Sequence, residues 1–297
     1  MAEKRGVSGP VLALVCNAFV WGVSWWPFRQ LHEQGLHPLW STALMYLLAL
    51  ACALAVRPAA LAEFSRQPLL WLLAGAAGLT NVGFNWAVTV GDVVRVVLLF
   101  YLMPAWSVLL AWLLLGDKPT PAALARLLLA LVGVVIVLHQ PGNGFPWPRE
   151  PADLLALMGG CSFALTNVML RRLHAVPGEA RLVAMFGGGA VMAVVVAALG
   201  LAQGLVLPVP ALGPGSLVIG ALLTVAFLGG NVALQYGAAR LPAHTTALVM
   251  LSEVVFASLS SVALGAAQLS PGVLTGGALI LAAAAWSAWP QRSARAV

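Results

Sequence analysis

Long apolar blocks alternate with short polar or turn-forming stretches along almost the whole chain. Each block is close to the roughly 20 residues that an α-helix needs to cross the hydrocarbon core of a bilayer. The blocks predict ten transmembrane helices at residues 10–28, 37–56, 68–90, 94–115, 121–139, 152–171, 179–201, 215–237, 243–265 and 271–289. Only the connections 141–151 and 204–215 are longer, and both are rich in Pro and Gly. The pattern therefore predicts an all-α membrane protein.

The composition is that of a chain whose surface mostly faces lipid. Of the 297 residues, 61% are hydrophobic and 8% are charged, whereas soluble proteins carry about 25% charged residues. The net charge of +6 does not indicate nucleic-acid binding, because the basic residues are scattered singly between apolar blocks. Cys16, Cys52 and Cys161 also lie singly within apolar blocks, and we expect them to be small buried hydrophobes.

The basic residues also predict the orientation of the chain. With a cytoplasmic N-terminus, the outer segments contain only Arg29, Arg95 and Arg149, and the other 12 of the 15 Lys and Arg residues are cytoplasmic. Because segments rich in Lys and Arg stay in the cytoplasm, this asymmetry favours an even number of helices and both termini inside. We expect a multi-pass protein of a bacterial inner membrane.

The two halves of the sequence correspond to each other. Residues 21–24 of helix 1 (Trp-Gly-Val-Ser) match residues 163–166 of helix 6 (Phe-Ala-Leu-Thr), and each stretch is followed by an Arg five residues later. The predicted organisation is a first five-helix repeat at 1–140, a periplasmic linker at 141–151 and a second repeat at 152–297. Because each repeat has an odd number of helices, the second is inverted relative to the first, as in many secondary transporters.

Polar side chains inside a bilayer are costly, so they are expected to face a cavity or a partner helix. They concentrate in predicted helices 1, 3, 4, 6, 8 and 9, whereas helices 5, 7 and 10 are nearly bare of them. We expect the first group to line a central path and the second group to face lipid. The candidate substrate-binding residues are Trp21, Ser24, Asn81, Asn85, Tyr101, Met103, Phe163, Asn167, Asn231, Glu253 and Phe256.

Two features of this set each have two interpretations. Glu253, the one acidic residue near the middle of a predicted span, is either a proton site or ammonium anchor, or a structural residue at a helix contact. We expect it to lie close to Asn and Ser groups of neighbouring helices. Trp21, Tyr101 and Phe163 either converge on one central cavity suited to a planar or apolar solute, or take part in ordinary helix packing.

These features resemble the drug/metabolite transporter superfamily, in its EamA-type branch. The resemblance is carried by the doubled five-helix pattern, by Trp-Gly-x-Ser at 21–24, by Leu102-Met103-Pro104 followed by Leu-Gly-Asp at 115–117, and by Leu-Gly at 264–265. Within the branch, residues 100–104 and 129–134 are most similar to bacterial exporters of aromatic amino acids. Glu253 departs from the family, because it stands where the second repeat should carry the counterpart of Pro104.

The resemblance implies a ten-helix inverted-repeat fold, with aromatic residues at the positions of Trp21, Tyr101 and Phe163 lining the central cavity. The expected function is export of small organic solutes, in the first place aromatic or bulky apolar amino acids or related metabolites, by alternating access. Alternatives are a drug/metabolite exporter or permease for another substrate class, a channel or structural subunit, and an intramembrane enzyme. Against an enzyme, the five His residues lie at loops or helix ends and form no HExxH.

No GxxxxGK[ST] motif is present, so ATP is not the expected driver, and no cofactor or metal is expected. The expected partners are a small-molecule substrate and the lipid bilayer, without nucleic acid, and the chain is expected to be a monomer.

Overall fold

All regular secondary structure in the described part of the chain is helical. The computed structural model describes residues 3–115, 120–139, 148, 150–173, 175–238, 240, 249–250, 252–266 and 269–288. The helices are α1 (Glu3–Val23), α2 (Trp25–Glu33), α3 (Pro38–Val56), α4 (Ala59–Arg66), α5 (Pro68–Val90), α6 (Val93–Phe100), α7 (Met103–Leu115), α8 (Pro121–Leu138), α9 (Pro151–Arg172), α10 (Gly178–Ala202), α11 (Pro214–Ala238), α12 (Ser252–Ala263) and α13 (Pro271–Ala288). The predicted all-α class is confirmed within these ranges.

Several of the predicted spans meet the length and hydropathy of a transmembrane helix. Among the described residues, the five stretches that do so are Gly9–Glu33, Pro38–Val56, Pro151–Leu170, Gly178–Ala202 and Pro214–Leu234. The apolar helices Leu124–Ile136, Ser252–Ala263 and Pro271–Ala283 are shorter. Residues 241–248, the predicted start of helix 9, and most of the linker 141–151 lie outside the described residues. The count of ten spans stays a prediction.

Two predicted spans are each divided into two helices. The first continues to Glu33 and is divided at Ser24, whose hydroxyl donates to the Trp21 carbonyl oxygen at 2.8 Å. The span 94–115 is divided at Tyr101 and Leu102, between α6 and α7. Phe100 is the last residue of α6. In a continuous helix its carbonyl oxygen would accept a hydrogen bond from the backbone N–H of residue 104, but Pro104 has no N–H.

One helix was not predicted. Residues 57–67 were expected to connect two spans, but Ala59–Arg66 forms the eight-residue helix α4. Its Phe64 ring packs against Trp71 at the start of α5, with 4.6 Å between the ring centroids. Such a segment is too short to cross a bilayer. It therefore does not form one of the long apolar blocks from which the spans were predicted.

The helix contacts are paired between the two halves of the chain. Helix α5 of the first half packs against α9 and α10 of the second half. In the same way, α11 of the second half packs against α1 and α3 of the first half. The contact of α6 and α7 with α9 has its counterpart in the contact of α12 with α1, and α8 packs against α13. Each helix of one predicted repeat has a counterpart in the other. When every helix is replaced by its counterpart, each of these contacts becomes another contact of the same set or stays the same.

Glycine makes the closest of these contacts. A Cβ atom built on Gly78 of α5 would lie 2.5 Å from the Gly188 carbonyl oxygen of α10. The two backbones therefore touch directly, as is common between helices within membranes.

Several polar side chains lie inside the helix bundle, and many apolar side chains lie on its outside. Asn17, Asn85, Thr166 and Thr224 are almost completely buried. The outward faces carry exposed apolar residues on both α8 and α11, which are Leu124, Leu128, Leu131, Val132, Val135, Leu217, Val218, Leu222, Val225 and Val232. The division into path-lining and lipid-facing helices is thus too strict, because α11 exposes one face and α10 buries one face against α3 and α5.

The cysteines do not follow the expectation of burial. Cys16 and Cys52 are exposed on the outside of the bundle, and Cys161 is partly exposed. A thiol is apolar enough to face lipid as well as protein, so the apolar sequence around it does not distinguish the two environments.

Candidate substrate-binding site

The three aromatic residues selected from the sequence belong to one continuous row of rings. Trp21 contacts Phe84 edge to face at 5.8 Å, and Phe84 contacts Phe100 at 4.8 Å. Phe100 in turn contacts both Tyr101, at 6.3 Å, and Phe163, at 5.5 Å. We call these five residues the aromatic row. It joins α1, α5, α6 and α9, and so it crosses between the predicted repeats.

Phe84 and Phe100, which complete the row, were not among the candidates from the sequence. Phe84 lies between the selected Asn81 and Asn85 on α5, and Phe100 directly precedes Tyr101. Phe84 is buried, whereas Trp21 and Phe163 are only partly buried. The two ends of the row therefore retain accessible aromatic surface, which a planar or apolar solute can contact.

Glu253 lies against the C-terminal end of the short helix α6. The Tyr101 hydroxyl oxygen is 3.1 Å from Glu253 Oε2 and 2.9 Å from the carbonyl oxygen of Met250. Both side chains are 6% exposed. Within the described residues, the side-chain hydrogen bond of Glu253 is to Tyr101, and none to an Asn or Ser side chain is found there.

On its other side, the helix that carries Glu253 is in backbone contact with α1. A Cβ atom on Gly22 would lie 2.8 Å from the Glu253 carbonyl oxygen and 2.8 Å from Phe256 Cβ. Phe256 packs edge to face on Phe19 of α1 at 5.3 Å. Trp25 Nε1 donates to Ser260 Oγ at 2.9 Å one turn further along. The start of α12 therefore lies between α1 and the end of α6, and the Glu253 carboxyl group faces Tyr101 of the aromatic row.

The two asparagines of α5 face α3. Asn81 accepts a hydrogen bond from the Tyr46 hydroxyl and donates to the Ala77 carbonyl at 2.7 Å. Asn85 Nδ2 donates to Thr42 Oγ1 at 3.2 Å, while Asn85 Oδ1 is buried without a hydrogen-bond partner among the described residues. Asn81 is satisfied by the protein, whereas Asn85 keeps one free acceptor.

The remaining candidates lie apart from this centre. Asn167 is exposed and its amide lies 3.6 Å from Met103 Sδ, between α9 and α7. Asn231 is buried and donates to the Phe227 carbonyl of its own helix. Ser24 is buried and bonded to the Trp21 carbonyl. The structure brings together Trp21, Tyr101, Phe163, Glu253 and Phe256, and it assigns Ser24 and Asn231 to contacts with the backbone of their own segment.

Polar contacts also fasten the helices at one end of the bundle. Arg95 of α6 forms a two-pronged ion pair with Asp153 of α9, with both N–O distances 2.8 Å. Arg29 of α2 donates to the carbonyl oxygens of Val88, Thr89 and Gly91 at the end of α5. The predicted topology places these contacts on the periplasmic side. From the sequence, both arginines were predicted only as topology signals, without partners.

No metal centre is found in the part of the chain that the structure describes. Among those residues there is no group of three or more His, Cys, Asp or Glu side chains that could hold a metal ion.

A bundle of long apolar helices with polar and aromatic side chains inside is the arrangement of an integral membrane protein. Residues 8–139, which run from α1 through α8, match the family model described as the EamA-like transporter family. No curated protein matches the chain. One solved crystal structure is similar over 94% of this chain and 96% of its own, with 24% sequence identity and a TM-score of 0.56. That likeness concerns the fold alone.

Proposed function

We propose that the chain is a secondary transporter that exports amino acids with aromatic or bulky apolar side chains across a bacterial inner membrane. The observation that carries the proposal is the aromatic row together with Glu253, which is hydrogen-bonded to Tyr101 of the row. Rings offer contact area to an apolar side chain, and a buried carboxyl group inside a membrane protein is a functional candidate by default. The match of residues 8–139 to a transporter family supports the general class.

The proposed mechanism is alternating access between two inverted five-helix repeats. It is supported by the paired helix contacts, in which α5 against α9 corresponds to α11 against α1. The aromatic row extends between the predicted repeats, because Phe100 of the first contacts Phe163 of the second. Rocking one repeat against the other would therefore move the walls of the proposed site.

The proposed substrate class rests on a closer resemblance in sequence. The residues at 100–104 and 129–134 are similar to those of the aromatic-amino-acid exporter YddG. The row of rings around Tyr101 supports the same class. A charged or strongly polar side chain of the solute would find few partners along the row, because Asn81 is already satisfied by Tyr46 and its own helix.

The experiment that tests this function is counterflow in proteoliposomes. Vesicles containing the purified protein are loaded with unlabelled L-phenylalanine and diluted into labelled L-phenylalanine. We expect labelled solute to accumulate transiently, and we expect excess external L-tryptophan to suppress this accumulation more than L-aspartate does. Equal signals in protein-containing and protein-free vesicles would contradict the proposal. Suppression by L-aspartate alone would contradict the substrate class.

A further inference from the structure

The Tyr101 hydroxyl lies between two oxygen atoms. It is 2.9 Å from the Met250 carbonyl oxygen and 3.1 Å from Glu253 Oε2. A phenol has one proton to donate, and a backbone carbonyl can only accept. The protonation state of Glu253 therefore decides whether all three groups can be satisfied at once.

A protonated Glu253 satisfies every group, and a carboxylate does not. The acid donates its own proton to the Tyr101 oxygen, and Tyr101 donates to Met250. With a carboxylate, both neighbours of Tyr101 are acceptors, and one of them loses its hydrogen bond. A buried polar group left unpaired costs about 1–3 kcal/mol, and more if it is charged. The geometry is thus that of a neutral carboxylic acid.

No positive charge in the described residues compensates Glu253. The helix α1 presents the backbone of Gly22 to it, and residues 17–23 of α1 include no titratable side chain. On α6, Arg95 lies six residues before Tyr101, about 9 Å along the helix axis, and is paired with Asp153. Glu253 is the one titratable residue of α12. Its only titratable hydrogen-bond partner in the described chain is Tyr101.

We infer that Glu253 binds a proton that is exchanged for the ammonium group of the solute, so that transport is an antiport of protons and primary amines. The inference rests on the proposed transport function. The solute's ammonium group displaces the proton, which leaves to water on the side that is open, and the carboxylate then pairs with the ammonium. The ammonium group brings in the one positive charge that leaves with the proton. The carboxylate of a zwitterionic amino acid enters with it, so the site then carries one more negative charge than before. The adjacent aromatic row receives the side chain of the same solute.

The exchange also changes a contact between two helices. When Glu253 loses its proton, the Tyr101 hydroxyl turns to the carboxylate and releases the Met250 carbonyl. Tyr101 follows the last residue of α6, and Met250 stands two residues before α12. The proton on Glu253 therefore controls a hydrogen bond between the divided helix of the first repeat and the equivalent region of the second.

The first test is infrared spectroscopy of the purified protein at neutral pH. The wild type should show the carbonyl stretch of a protonated carboxylic acid, and Glu253→Gln should lack it. The matched control is Glu33→Gln, because Glu33 is exposed at the end of α2 and far from Tyr101 along the chain; this variant should keep the band. Tyr101→Phe should shift the band by removing the hydrogen-bond acceptor. Absence of the band in a folded wild-type protein would overturn the inference.

The second test measures protons released when solute binds, in weakly buffered detergent solution with a pH-sensitive dye. L-Phenylalanine should release a proton from the wild type and from Glu33→Gln, and none from Glu253→Gln. Its affinity should fall about 10-fold to 100-fold in Glu253→Gln. Phenylpropionate, which has no ammonium group, should release none. Binding without release in the wild type would overturn the exchange. If L-phenylalanine does not bind at all, it is not a substrate and the proposed function is wrong for this amino acid. The infrared band then still tests whether Glu253 is protonated.

Discussion

His37 is kept neutral by its surroundings at the start of α3. Its Nδ1 accepts a hydrogen bond from the Leu39 backbone N–H at 3.2 Å, which caps the helix. Burial, with a smaller contribution from the nearby His32, lowers the pKa of His37 to about 4. Because the folded pKa lies below the ordinary value of 6.5, protonation opposes folding.

The stability of the protein should therefore fall as the pH drops from 6.5 towards 4. The measurement is the thermal unfolding temperature in detergent at several pH values. His37→Asn keeps a capping side chain that does not titrate, so its unfolding temperature should fall less over the same window. The same decrease in both proteins would mean that other groups cause the acid sensitivity.

At single positions, the sequence identified residue types better than their partners. It selected Tyr101 and Glu253 separately, but their hydrogen bond joins positions 152 residues apart, and no local pattern reports such a distance. Phe84 and Phe100 were missed because an apolar aromatic residue in an apolar block has no distinguishing feature. Ser24 was selected as a polar residue in a span, yet its hydroxyl is used by the backbone at the break between α1 and α2.

Among the helices, the ion pair of Arg95 and Asp153 links α6 to α9. Asp153 is 1% exposed and Arg95 13%. Removing one partner of such a pair leaves a buried charge uncompensated, so Asp153→Ala should lower the free energy of unfolding by about 3–5 kcal/mol. Glu33→Ala, at an exposed position at the end of α2, should change it by less than about 0.5 kcal/mol. Denaturant titration in detergent measures both; equal stabilities would contradict a buried ion pair.

The contact between α9 and the end of α6 depends on Gly160. A Cβ atom there would lie 2.6 Å from the Phe100 carbonyl oxygen, to which Pro104 has no N–H to donate. Gly160→Ala should therefore destabilise the protein by about 1–3 kcal/mol through overpacking. Gly75→Ala is the matched control, because nothing lies within 4 Å of its Cβ position and alanine favours a helix. If Gly160→Ala is as stable as Gly75→Ala, the close approach is wrong.

The long helices could be located from the sequence because their apolar length is itself the signal. The break before Pro104 also has a local cause, the missing N–H. The interruption at Ser24 has no such signal, since Trp-Gly-Val-Ser can continue a helix. Ser24 itself keeps helical φ and ψ angles of −63° and −24°, and its hydroxyl donates to the Trp21 carbonyl oxygen. The short helix α4 was missed because hydropathy over long windows does not register eight residues.

For the molecule as a whole, the predicted topology has a direct test. With only Arg29, Arg95 and Arg149 outside, both termini are expected in the cytoplasm. A fluorescent protein fused after Arg292 should therefore fluoresce, and a periplasmic phosphatase fused at the same position should be inactive. The opposite result would mean an odd number of spans and would remove the basis for inverted repeats.

The central claim is that a solute crosses the membrane along the aromatic row between the two predicted repeats. The most direct measurement is counterflow of labelled L-phenylalanine in proteoliposomes with Trp21→Ala and with Trp71→Ala. Trp21 contacts Phe84 and Phe227 inside the bundle, whereas Trp71 is 61% exposed at its surface. Loss of one good aromatic contact, about 1.5–3 kcal/mol, should weaken the apparent affinity about 10-fold to 100-fold in Trp21→Ala. Trp71→Ala should behave as the wild type. Unchanged counterflow in a folded Trp21→Ala protein would contradict the account.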